Sequence, residues 1–138
     1  MKNRITQVES EYACLWFYPD EGIIHHQFLQ PISGDDFKTV LMSGLHLMEE
    51  YGAQKWLSDD RKNSILPAED SAWSQDYWLP RAIQAGWKYW AVLPPIKARG
   101  QINMKRLVEY VGERQNIEIE IFSDPDQAWQ WLARQSAA

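Results

Sequence analysis

Two aspartates and two basic residues stand side by side in the middle of the chain, in the phrase Trp56-Leu-Ser-Asp-Asp-Arg-Lys-Asn63. The carboxylates of Asp59 and Asp60 could chelate magnesium or share acid–base work. Neighbouring residues of an extended strand point to opposite faces, so at most one of the two faces a shared site unless the strand has already ended. The structural alternative is that Asp59 caps loop amides while Arg61 pairs with Asp60, since ion-pair networks gather such residues without catalysis. A magnesium enzyme would need a third acid and a general base, and no phrase supplies them. No catalytic residue is assigned.

A second constellation is electropositive. Arg61 and Lys62 leave the carboxyl end of one short apolar segment, Lys55 to Ser58. Lys97 and Arg99 leave that of another, Lys88 to Leu93, just before a helix start that itself favours anions. Neighbouring parallel strands would bring both loops to one edge of a sheet, where open α/β folds place their working groups. Asp59, Asp60, Arg61, Lys62, Lys97 and Arg99 are therefore the candidate ligand-binding residues, for a phosphate, a carboxylate or a lipid head group. Two solvated loops with unrelated charges would give the same pattern.

His25 and His26 alternate faces and do not clamp one metal; His46 lies on a separate helical segment. Without a spaced Cys/His set, no metal and no cofactor is expected. The single cysteine, Cys14, sits in Ala13-Cys-Leu-Trp-Phe17 and reads as a small buried hydrophobe. It excludes an intramolecular disulfide and fits a reducing compartment. Of eight tryptophans, most belong to a core. Trp78 is assigned to the surface, because Trp73 and Tyr77, one turn apart, already define a buried stripe. An exposed ring beside Pro80 would suit a protein partner or a homodimer contact.

These groups need a scaffold, and its elements can be read in order. Residues 12–18 are an aromatic-rich strand, Pro19-Asp-Glu-Gly22 a turn, and Ile23 to Gln30 a second strand closing an antiparallel hairpin. Ser33-Gly-Asp-Asp36 opens a helix whose stripe is Phe37, Leu41, Gly44, Met48 and Tyr51, ended by Gly52. Lys55 to Ser58 is a central strand. Glu69 to Leu79 is helical, with a break or kink expected at Pro80 and a short continuation to Ala85. Lys88 to Leu93 is a strand stopped by Pro94-Pro95. Asn103 is expected to cap the next helix, with Ile102 and Leu107 as its hydrophobic staple. Ile117-Glu-Ile-Glu-Ile121 alternates as a strand covered on one face, and Ser123-Asp-Pro-Asp126 opens a last helix carrying Trp129 and Leu132. The order is β-β-α-β-α-β-α-β-α. It predicts an α/β fold with a mostly parallel five-stranded sheet and an antiparallel first strand.

With 138 residues, 45% hydrophobic and 24% charged, the chain is the size of one domain, 1–138, with one core and no repeat or linker. A net charge of −5 argues against general nucleic-acid binding. The charge is uneven: eight acidic residues and only Lys38 lie between Glu9 and Glu50, whereas seven basic residues face Glu109 and Glu113 between Arg81 and Arg114. No apolar run approaches membrane-spanning length and the N-terminus has no signal-type core, so a cytoplasmic location without an integral membrane segment is expected.

Three phrases carry a resemblance: Ile23-Ile-His-His26, Trp56-Leu-Ser-Asp-Asp-Arg-Lys-Asn63, and Trp78-Leu-Pro-Arg-Ala82 continuing to Ala85-Gly-Trp-Lys-Tyr-Trp-Ala91. Over roughly residues 12–135 the chain resembles the SpoIIAA-like family (STAS fold, STAS/SEC14-type domain), in its uncharacterised bacterial branch. The resemblance implies sequential strand order and helices mainly on one face. In antagonists of that class, a serine in an Asp-x-Ser-Gly phrase after the equivalent strand is phosphorylated, which switches partner binding, but here Arg61 stands where the serine would be and no glycine follows. The expectation is a non-enzymatic regulatory or protein-interaction module that self-associates and lacks the phosphoserine switch. The alternative is a binder of a small anionic ligand or lipid head group.

Overall fold

The computed structural model describes residues 2–114 and 116–136. The chain runs β1 (Ile5–Glu9), β2 (Ala13–Tyr18), β3 (Ile23–Phe28), α1 (Gly34–Tyr51), β4 (Lys55–Asp59) and α2 (Ala68–Trp73). A π-helical turn (Ser74–Trp78) leads into α3 (Leu79–Gln84), followed by β5 (Tyr89–Leu93), α4 (Ala98–Arg114), β6 (Glu118–Ile121) and α5 (Pro125–Ala133). The strands form one six-stranded sheet in sequential order. β1–β2 and β2–β3 are antiparallel, and β3 through β6 are parallel.

The α/β class, the hairpin at Gly22 and the four parallel strands agree with expectation. Gly22 adopts φ +70°, and its N–H donates to the Tyr18 carbonyl at 2.8 Å. The expected five strands are six. β1 pairs with β2 through an irregular register between Thr6 and Val8, and four of its five residues are exposed. A strand buried on neither face carries no alternation to betray it.

Sequential order joined by right-handed crossovers sends every connecting helix to one face of the sheet. Accordingly the larger core draws on α1, the α2–α3 segment and α4 over one face. α5 alone covers β4 and β5 on the other, through Ala128, Trp129 and Leu132. In α1, Phe37, Leu41, Gly44 and Met48 are buried as expected, but Tyr51, at its last residue, is exposed. Gly44 lies directly on the Trp56 ring, where any Cβ would overlap it. The first amide of α1, on Gly34, is satisfied by Asp70 Oδ2 from α2 at 3.0 Å, not by Ser33.

The disturbance expected at Pro80 appears as the π-helical turn directly before it. Proline has no N–H and its ring collides with the carbonyl one turn back, and a wider turn accommodates both. The widening also moves the buried stripe. Four residues overshoot an α-turn of about 3.6 residues but fall short of a π-turn, so Asp70, Ser74 and Trp78 stay on one line that continues through Leu79 and Ala82. Trp78 is therefore 5% exposed, with its indole N–H donating to the Leu41 carbonyl at 2.7 Å. The exposed residue is Tyr77, at 47%. The assignment of Trp78 to a surface contact is corrected: it is a core residue.

A candidate ligand cavity and its rim

Parallel pairing decides which polar groups meet. His26 stands opposite Ser58 in the β3–β4 register, so both face the three-helix side together with Trp56. Asp60 continues that parity one residue past β4, held in the ladder by its N–H bond to the Leu93 carbonyl at 2.9 Å. The three side chains form a chain of hydrogen bonds. Trp56 Nε1–H donates to His26 Nδ1 at 2.9 Å, and His26 Nε2 lies 2.6 Å from Asp60 Oδ1. An indole nitrogen can only donate, so Nδ1 must accept and the ring proton must sit on Nε2, aimed at Asp60.

Around this chain lies a cavity of about 80 Å³. Its walls include the rings of Trp56, Trp78, Trp87 and Trp90. These pack edge to face in succession, with centroids 5.4, 5.4 and 5.3 Å apart. Edge-to-face pairs of this kind add about 0.5–1.5 kcal/mol each beyond burial. All four indole N–H groups are spent on internal acceptors: His26, Leu41, the Tyr89 carbonyl and Ser58 Oγ. That leaves the indole walls apolar; Ser58, Asp60, Asn63 and Asn103 line the cavity toward the carboxyl ends of β4 and β5, and Ser74 and Gln75 line it from the π-helical turn.

Two asparagines fasten the loops at that end. Asn63 Oδ1 accepts from the Ile32 amide at 3.3 Å, and Asn103 Oδ1 accepts from the Leu66 amide at 3.2 Å. Asn103 is thus inside α4, which begins at Ala98, and does not cap it; Ile102 is 56% exposed and staples nothing. The Ile96 amide donates to the Arg61 carbonyl at 3.2 Å, so the two basic loops do share one rim.

On that rim the six candidate residues divide. Asp60 alone lines the cavity. Asp59 points to the opposite face, where Arg61 binds it through two bonds, Nε to Oδ1 at 2.9 Å and Nη2 to Oδ2 at 2.8 Å. The pairing of Arg61 with Asp60 that the residue order allowed is therefore replaced by Arg61 with Asp59, and Arg61 is not free for a ligand. Burial raises the Asp59 carboxyl, but the hydrogen bonds and charge of Arg61 overcome it and hold the group below its ordinary value. Lys62, Lys97 and Arg99 are exposed, outside the cavity lining, with no ion-pair partner among the described residues.

The residues missed in the sequence are His26, Trp56, Ser58, Asn63, Trp90 and Asn103. Parity would have grouped Trp56, Ser58 and Asp60, and the β3–β4 register would have added His26. His25, on the other face, is half-buried between Trp16 and Tyr18, and its Nδ1 is buried without a partner among the described residues. Burial, reinforced by His26, pushes it down to about 4. Cys14 is half-buried there too, its thiol raised by burial and by Glu9. Among the described residues no group of three His, Cys, Asp or Glu could hold a metal ion, and no helix is long and apolar enough to cross a membrane.

No family model, curated protein or solved structure matches this chain.

Proposed function

We propose that this chain is a non-enzymatic regulatory module of STAS type that holds a small ligand in the aromatic cavity and presents the occupied rim to a protein partner. The observation that carries this reading is the cavity: apolar walls ending in a few convergent polar groups are the usual composition of a small-molecule site. Sequential strand order, four parallel strands and helices gathered on one face support the STAS assignment. The switch serine of that class has no counterpart at Arg61, so occupancy of the cavity would take its place. The loops that would report it are wired to the cavity through Asn63, Asn103 and the Ile96–Arg61 bond.

Two features favour binding over catalysis. Both ring nitrogens of His26 are occupied, so it has no site left to accept a proton from a nucleophile. Ser58 Oγ accepts from Trp90 and makes no bond to His26. A panel of small apolar compounds tests the reading by melting temperature, because a ligand specific to the folded state raises it. If none shifts the transition, the cavity reading fails. The homodimer expected through Trp78 has lost its anchor to the core.

A second reading is favoured by the rim itself. Lys62, Lys97 and Arg99 have no ion-pair partner among the described residues, and Ile96 and Ile102 are 71% and 56% exposed. An anionic ligand or lipid head group would suit this surface. Binding of inorganic phosphate or of anionic vesicles, abolished by Lys97→Glu with Arg99→Glu, would support it. Equal binding by that variant would remove it.

A further inference from the structure

Among the described residues, Asp60 is the one acidic side chain that lines the cavity. Its side chain is 8% exposed, and its bond from His26 comes from a neutral donor, because the Trp56 indole keeps Nδ1 unprotonated. Arg61, next in sequence, is committed to Asp59. Lys62, Lys97 and Arg99 lie outside the cavity lining. Among the described residues no lysine or arginine pairs with Asp60. A carboxylate removed from water without a cation is costly to the fold, and here that charge borders open space ringed by aromatic walls.

We infer that the cavity is a site for a small alkylammonium group, its positive nitrogen set toward Asp60 and its alkyl substituents against the tryptophan rings. This rests on the cavity being a ligand site, and it names the ligand's chemistry. Aromatic faces attract cations electrostatically, and tryptophan does so best among the side chains. Size limits the guest. The space of about 80 Å³ is roughly half of the ~150 Å³ cavity known to admit benzene. A methyl- to trimethylammonium head fits the interior. An anion placed in the same space would meet the Asp60 carboxylate.

The test is calorimetric titration of the whole chain with methylammonium, trimethylammonium and tetramethylammonium chlorides, against tert-butanol as a neutral guest of similar size and sodium chloride as the ionic control. The expected result is saturable binding of at least one ammonium, at least tenfold tighter than tert-butanol, with Asp60→Asn losing that preference. Binding of tert-butanol as tight as that of every ammonium overturns the cation inference while leaving the ligand cavity standing. Binding of no guest overturns both. The comparison of charged and neutral guests uses the unaltered protein, so it decides the matter even if Asp60→Asn fails to fold.

Discussion

Trp56 and His26 are joined by a bond that fixes where a proton sits: the indole N–H donates to Nδ1 at 2.9 Å, leaving Nε2–H as the only hydrogen His26 can present to Asp60. The partners come from adjacent parallel strands, so the arrangement follows from sheet register and not from a local motif.

Nitrogen-15 spectra of the histidine rings should therefore show His26 as a single Nε2–H tautomer at neutral pH. In Trp56→Phe the lock is removed, and the ring should become free to exchange between forms. A native His26 found in the Nδ1–H form would contradict the hydrogen-bond chain.

Packing of α1 on β4 makes a separate claim. Gly44 leaves space that the Trp56 ring fills, so a methyl group there must displace buried aromatic atoms. Gly44→Ala should destabilise the protein by about 1–3 kcal/mol in urea unfolding, as overpacking does. This runs against the helix preference for alanine, worth about 1 kcal/mol the other way. A neutral or stabilising result would mean that the ring does not lie against the helix.

Acid sensitivity should come partly from His25. Its folded-state value of about 4 lies below the ordinary 6.5. Between those values the unfolded chain binds a proton that the folded chain refuses, so stability rises with pH across this window. The contribution is intact above about pH 6.5 and is lost as the pH falls toward 4. At pH 5 the loss is about 2 kcal/mol. His25→Phe, which keeps an aromatic ring between Trp16 and Tyr18, should flatten the fall in melting temperature between pH 7 and 5. A fall as steep as in the native protein would show that His25 does not titrate this way.

Much of the scaffold was legible because it was written in local terms. Gly22 and Gly52 marked a turn and a helix end, both at φ +70°, and the apolar segments at Lys55 and Tyr89 marked central strands. β1 was not legible, since its strand state depends on the edge of β2 and not on burial. Trp78 was misplaced because the stripe was drawn through Trp73 and Tyr77 at regular helical spacing, across residues 74–78 where the π-helical turn resets it. Of the site, the rim was foreseen and Asp60 was on it. The partners of Asp60 were hidden because His26 and Trp56 lie 34 and 4 residues away in sequence and meet it only through pairing of β3 with β4. Alternation had separated Asp59 from Asp60 and His25 from His26, and the missing step was to ask which member of each pair shared a face.

The eight tryptophans offer the most direct check on the ligand cavity. The indole N–H resonances of Trp56, Trp78, Trp87 and Trp90 should move together when a small ammonium or neutral apolar guest is titrated in, because those rings wall one space. Trp16, Trp129 and Trp131, on the α5 side of the sheet, should stay where they are. Shifts confined to the latter three, or no shift in any of the first four with every guest tried, would contradict a binding site under the three-helix face.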